Sequence, residues 1–272
     1  MSISPAALMR SSQTGFTLIE LVVTIVIIGV LGVGISSFIG QTTKGMIDTA
    51  ERSQIATIAW ITSEKISRSL RHALPNSIRT SSDNACIEYI PIFSGTDYLT
   101  VPTLASSDQF EVAPFSNMAV GFNFAAQSLS VAVYPSSSTG LYSPGNNTVL
   151  SSEIAQLSAG TTLNANTLRL SAAHQFPSDS PSKRLFVTQE PVMYCFESGL
   201  LYRYSEYGFN GTFTTSGLSN QTVIASRLNQ GVFTYSPGTL QRNAVITIDF
   251  NVLGDDGLVQ AVDQEVQIRN VP

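Results

Sequence analysis

One uninterrupted apolar stretch near the start of the chain is the strongest pattern in the sequence. Residues 16–39 read F-T-L-I-E-L-V-V-T-I-V-I-I-G-V-L-G-V-G-I-S-S-F-I and contain a single charge, Glu20. A helix of this length reaches about 36 Å, enough to cross a bilayer core of about 30 Å. Because backbone polar groups in lipid must pair within the segment, the pattern predicts a transmembrane helix over residues 16–39.

An amphipathic pattern follows over residues 40–74. Apolar side chains recur there at helical spacing and share one stripe: Ile55, Ile58, Ala59, Ile61, Ile66, Leu70 and Ala73. Pro75 disfavours helical backbone at Leu74 and sets the predicted end of the helix. The two patterns together predict one long helix over residues 16–74, its first half in lipid and its second half covering a globular domain.

After Pro75 the apolar positions alternate in short runs, which are separated by Gly, Pro, Ser and Asn. The runs predict strands at 86–92, 98–101, 120–124, 129–134, 167–170, 185–188, 192–196, 200–204, 223–228, 232–235, 245–252 and 266–271. Residues 135–147 and 171–183 are predicted loops, and a hairpin turn is predicted at 255–257. The expected fold is α+β, a long N-terminal helix packed on an antiparallel β-sheet domain over residues 75–272.

Composition and motifs exclude several functions. Charged residues make up 12% of the chain, against about 25% in ordinary soluble proteins, and the net charge is −5 without a basic patch, so nucleic acid is not an expected partner. His72 and His174, the two histidines, have no second ligand or nucleophile at useful spacing. We therefore expect neither enzymatic activity nor a cofactor. Asp255 and Asp256 are candidate calcium ligands, but a turn that tolerates left-handed backbone explains them without a metal.

The flanks of the apolar stretch predict its orientation. Arg10 precedes it, and no small-residue cleavage site follows residue 39, so the stretch should stay in the protein with its N-terminus in the cytoplasm. Cys86 and Cys195 both follow the span. If that part is exported into an oxidising compartment, the even count predicts one disulfide, with two separate buried thiols as the alternative.

Residues 15–21, G-F-T-L-I-E-L, resemble the processing site of type IV prepilins and type II secretion pseudopilins. The resemblance implies that prepilin peptidase removes residues 1–15 as a leader by cutting between Gly15 and Phe16. It also implies methylation of the new N-terminus at Phe16. In this family the residue matching Glu20 is thought to pair with the terminal amine of a neighbouring subunit during assembly.

Further resemblance, at residues 66–79 and 192–272, is to minor pilins of the mannose-sensitive haemagglutinin type and to minor pseudopilins. It implies a minor pilin that primes or caps a type IV fibre, is anchored in the inner membrane with a periplasmic C-terminal domain, and later reaches the pilus. The implied partners are other pilins contacting the N-terminal helix, an inner-membrane assembly platform and lipid. A pseudopilin of a type II secretion tip complex is one alternative, and a tethered periplasmic binding domain that does not polymerise is another.

Overall fold

The computed structural model describes most of the chain, namely residues 15–115, 128–144, 152–159, 161, 166–218, 220–238, 242–255 and 257–268. Contacts within the chain divide it into two units, Met1–Glu51 and Arg52–Pro272.

Helix α1 spans Leu18–Arg71 and continues without interruption through Gly29, Gly32 and Gly34. It is slightly shorter at both ends than the predicted 16–74. At its C-terminal end the chain leaves the helix because its backbone pairs with a distant segment. The Leu74 N–H donates to the Ile90 carbonyl at 2.8 Å, and the Ile92 N–H donates to the His72 carbonyl at 2.8 Å.

Within the unit Arg52–Pro272, one face of α1 is buried. Its buried residues are Ile55, Ala59, Thr62, Ser63, Ile66, Ser67 and Leu70. The predicted stripe is therefore right except at Ile61, which is 41% exposed, whereas the small polar side chains of Thr62 and Ser63 are buried. The helix joins the same apolar cluster as Tyr194, Phe233 and other core residues of the strands.

Fourteen strands and a short second helix follow α1 among the described residues. They are β1 Arg79–Thr80, β2 Cys86–Tyr89, β3 Ile92–Asp97, β4 Ser107–Glu111, β5 Ser130–Val133, α2 Ser138–Leu141, β6 Ile154–Gln156, β7 Thr167–His174, β8 Arg184–Thr188, β9 Val192–Glu197, β10 Leu200–Tyr204, β11 Gln221–Ala225, β12 Leu228–Ser236, β13 Ala244–Leu253 and β14 Val259–Ile268.

The strands form four antiparallel sheets. Their orders are β1-β2-β9-β10-β11, β12-β13-β14, β3-β8-β5-β6 and β4-β7. All pairings between these strands are antiparallel. The chain thus has the predicted α+β, type IV pilin-like architecture, a long N-terminal apolar helix followed by antiparallel sheets.

Several predicted strands differ from the observed ones. The run 86–92 is two strands in different sheets, because Pro91 lacks an N–H and separates β2 from β3. The run 223–228 likewise breaks before β12, where Arg227 has a positive φ of 64°. The run 98–101 is reduced to one bridge between Tyr98 and Val112.

Other elements went unpredicted or lie elsewhere than expected. Strand β7 extends to His174 into the predicted loop 171–183, and β14 begins at Val259, well before the predicted strand 266–271. Helix α2 lies inside the predicted loop 135–147. Strands β1, β4 and β6 have no sequence prediction, and the predicted strand at 120–124 lies outside the described residues.

A buried polar cluster ties the loop between β10 and β11 to the sheet beneath it. Arg79 pairs with the buried Glu88 and donates to the carbonyls of Asn210 at 2.7 Å and Gly211 at 3.0 Å. The Tyr207 hydroxyl donates to Glu88 at 2.7 Å, and burial followed by the Glu88 charge raises the pKa of Tyr207. These contacts hold the loop over the apolar cluster that contains Cys86 and Cys195.

Candidate processing and assembly segment

The Gly15–Phe16 peptide bond lies on exposed, non-helical backbone directly before α1. The Phe16 side chain is 74% exposed, and a Cβ added at Gly15 would meet no atom within 4 Å. A larger residue at position 15 therefore fits this fold. If glycine is required there, the requirement arises from a partner such as a peptidase and not from packing within the chain.

Thr17 caps the first turn of α1. Its Oγ1 accepts a hydrogen bond from the Glu20 N–H at 3.3 Å, and its carbonyl accepts one from the Leu21 N–H at 3.2 Å. Residues 17–20, T-L-I-E, match the capping-box sequence in which a Glu or Gln at the third helical position supports the cap. This capping signal is present in the sequence but is not among the predictions made from it.

The Glu20 side chain is exposed and has no counter-ion within ion-pair distance among the residues that the structure describes. Its place at a helix N-terminus is electrostatically favourable, typically by about 0.3–1 kcal/mol at an exposed site. In hydrocarbon, however, a charge costs about 2.5–3.5 kcal/mol at the centre of a span and less toward the interface. A cation supplied by another molecule would offset that cost.

The apolar part of α1 is exposed throughout, and it is long and apolar enough to cross a membrane. No atom lies within 4 Å of a Cβ built at Gly29, Gly32 or Gly34. Such open glycine positions permit the close approach of another helix. This segment is suited to contact lipid or the corresponding segments of other chains.

Cys86 and Cys195 form a disulfide, with their Cα atoms 4.1 Å apart. They are direct partners in the register of β2 and β9, and next to them the Phe196 N–H donates to the Ala85 carbonyl at 3.0 Å. This makes the cysteines a non-hydrogen-bonded pair, the position at which antiparallel strands bring opposite residues closest. Glu197 lies near both sulfurs, but bonded sulfurs are not available as metal ligands.

The remaining candidate residues do not assemble a second site within the described parts of the chain. Asp255 forms an ion pair with Arg227, and a turn closes beside it where the Gly254 N–H donates to the Leu258 carbonyl at 2.7 Å. The hairpin turn is therefore as predicted, whereas Asp256 lies outside the described residues.

The two histidines lie on different elements of the structure. His72 is exposed just beyond the end of α1, and His174 is buried at the end of β7. Among the described residues, neither belongs to a group of His, Cys, Asp and Glu side chains that could hold a metal.

A model described as the prokaryotic N-terminal methylation motif matches residues 10–36. The match includes Gly15, Phe16 and Glu20, and it supports a place for the chain among type IV pilins and pseudopilins in general. No curated protein and no solved structure matches the chain.

Proposed function

We propose that this chain is a minor pilin of a type IV pilus of the mannose-sensitive haemagglutinin type, similar to minor pilin O of that pilus, which primes or caps the fibre. The observation that carries the proposal is the pair Gly15–Phe16 followed by Glu20 in the segment 16–39, which is otherwise uncharged and is exposed throughout. In a tether that never polymerises, a carboxylate inside lipid gains only what it adds at the start of the helix, whereas an assembling subunit can also pair it with a cation of another subunit.

In this proposal, prepilin peptidase hydrolyses the Gly15–Phe16 bond on the cytoplasmic side, which frees the amine of Phe16 for methylation. The amine stays positively charged after one methyl group is added. As subunits leave the bilayer through the assembly platform, the amine of one subunit and the Glu20 carboxylate of another form an ion pair. Such a pair in a low-dielectric environment is favourable only when both charges are present.

The β domain supports a minor role more than a major one. Its described residues form four sheets with long connections, such as the loop between β10 and β11, that an evenly packed shaft built from many copies would have to accommodate. A subunit present in few copies at one end of a fibre avoids that crowding. We place the domain in the periplasm before assembly and at the cell surface afterwards.

Deleting the gene tests the proposal against its two alternatives. We expect surface pili to fall at least tenfold while secretion by the type II pathway continues, and a plasmid copy of the chain to restore the pili. Loss of type II secretion with normal pili would instead identify a minor pseudopilin, related to pseudopilin J. If both remain normal, the reading as an assembly subunit is wrong and a tethered binding domain takes its place.

A further inference from the structure

A cleft of about 440 Å³ lies where the C-terminal end of α1 meets the sheets. Its lining residues are Arg71, Ala73, Pro75, Ile92, Arg184, Phe186 and Ile268. Arginines thus stand beside an otherwise apolar surface. None of these residues belongs to the N-terminal segment described above.

The fold fixes the cleft from separate elements. The turn after α1 is held to the start of β3 by the hydrogen bond from the Ile92 N–H to the His72 carbonyl, at 2.8 Å, and by the bridge between Ala73 and Pro91. Strand β8 adjoins β3 with Phe186 opposite Gly95, and Ile268 is the last residue of β14. An occupant would therefore meet a surface that is already formed.

The two arginines of the cleft have no acidic partner in the part of the chain that the structure describes. Arg71 and Arg184 are exposed, and neither guanidinium makes a hydrogen bond or ion pair among the described residues. Arg184 lies opposite Asp97 in the register of β3 and β8, yet the two form no ion pair. By contrast Arg68, which lies one turn before Arg71, is paired with Glu64 at 3.0 Å.

Unpaired cations are notable in this chain because it has only 14 Lys and Arg against 19 Asp and Glu. Each guanidinium offers five N–H donors in a plane, the geometry that suits a carboxylate. Ile92 and Phe186 are only half-buried, so the floor between the charges still presents apolar surface to an occupant. Arginine and aromatic residues together are typical of protein interfaces.

We propose that this cleft binds an acidic peptide segment of a partner protein. An Asp or Glu carboxylate of that segment is held by Arg71 and Arg184, and a neighbouring apolar side chain covers Ile92 and Phe186. A small metabolite fits less well, since such ligands are usually enclosed over most of their surface, whereas both arginines here are exposed. The proposal stands apart from the function of Glu20, because it uses only residues of the unit Arg52–Pro272.

Selection of a displayed library of random heptapeptides tests the proposal. The full-length chain in detergent is compared with the double variant Arg71→Gln/Arg184→Gln and with Lys65→Gln, which removes an exposed cation of the same helix outside the cleft. Circular dichroism before and after heating checks that all three proteins are equally folded. We expect wild type and Lys65→Gln to enrich peptides with Asp or Glu next to an apolar residue, and the double variant not to enrich them.

The most enriched peptide is then synthesised with its acidic residues intact or changed to Asn and Gln. Removing the charge from the peptide, or both guanidiniums from the cleft, should each weaken binding by about tenfold or more, as expected for charge-assisted hydrogen bonds. The two losses should not add, because they remove the same contact. Equal enrichment by wild type and double variant, or binding that is indifferent to the peptide's charge, would overturn the proposal.

Discussion

Two interactions proposed for Glu20, helix capping and an ion pair with another subunit, can be separated by single residue changes. Glu20→Gln keeps a side chain suited to a capping box but removes the charge, whereas Thr17→Ala removes the cap and keeps the charge. We expect Glu20→Gln and Glu20→Ala to be cleaved and inserted normally, yet to enter fibres at least tenfold less well. Thr17→Ala should cost about 1 kcal/mol of helix stability and leave assembly near normal.

The measurements for this series are cross-linking to other pilins and counts of surface fibres in strains carrying only the variant. Protease resistance of the β domain is the control that each variant is folded. Normal fibres with Glu20→Gln would show that the charge has no part in assembly. If Thr17→Ala alone impaired assembly, the start of the helix and not the ion pair would be the important feature.

We expect His174 to make the folded domain less stable in acid. Its Nε2 lies 2.8 Å from the Ser152 carbonyl, its Nδ1 is buried without a partner among the described residues, and its ring packs against Phe176. Burial lowers the pKa of His174 below its usual value near 6.5, although the hydrogen bond to Ser152 acts in the opposite direction. The imidazole of His174 therefore binds a proton less readily in the folded chain than in the unfolded chain.

Because the unfolded state binds more protons below about pH 6.5, this histidine lowers the free energy of unfolding as the pH falls, by up to about 1.4 kcal/mol per pH unit. This loss of stability begins as the pH falls to the pKa of His174 in the unfolded chain. It is complete once the pH is below the pKa of His174 in the folded chain. Urea unfolding of wild type, His174→Gln and the exposed control His72→Gln between pH 7.5 and 5 measures it. We expect only His174→Gln to lose part of the pH dependence; identical profiles for all three would contradict this role.

At the scale of elements, the sequence predicts the helix and strands that have a regular apolar pattern. It does not predict the short strands that form only through pairing with other strands. The long helix and most central strands follow from periodicity, as with β9, β10 and β13. Strand β4 reads S-D-Q-F-E, and β6 is very short, so their pairing with other strands and not their composition makes them strands. The break between β2 and β3 was readable from Pro91, whereas the membership of those strands in different sheets was not.

The candidate functional residues were likewise predicted only in part. The cut site, Glu20 and the pairing of the two cysteines are sequence predictions, since each follows from a local motif or a count. The cleft between Arg71 and Arg184 was not predicted, because these residues are far apart in the chain. They come together only because the turn after α1 is hydrogen-bonded to β3 and β3 pairs with β8.

The disulfide links two strands across a sequence separation of 109 residues. In the chain-entropy model, closing a loop of that length stabilises the fold by about 4–5 kcal/mol, a figure that depends on the model. The double variant Cys86→Ala/Cys195→Ala should therefore unfold at markedly lower urea concentration and be less abundant in the periplasm through proteolysis. Reduced wild type is the matched control. A midpoint equal to that of oxidised wild type would contradict the prediction.

At the scale of the whole molecule, the two units differ in the environment that each suits. The N-terminal unit exposes a large apolar surface, and contact of that surface with water is unfavourable. It therefore requires lipid or other chains around it. The unit Arg52–Pro272 has its own apolar core, one disulfide and few charges, so hydrogen bonds supply most of its polar contacts. A subunit that leaves the bilayer to enter a fibre needs both properties in one chain.

The central claim is that the chain is cleaved after Gly15 and then assembled, and mass spectrometry of purified filaments tests it most directly. We expect the most N-terminal peptide of the wild-type chain to begin at methylated Phe16 and to occur in few copies relative to the main subunit. Gly15→Val, which the fold accommodates because no atom lies near a Cβ at that position, should stay in the membrane with residues 1–15 attached. A wild-type chain that keeps residues 1–15 in cells with active prepilin peptidase would contradict the account.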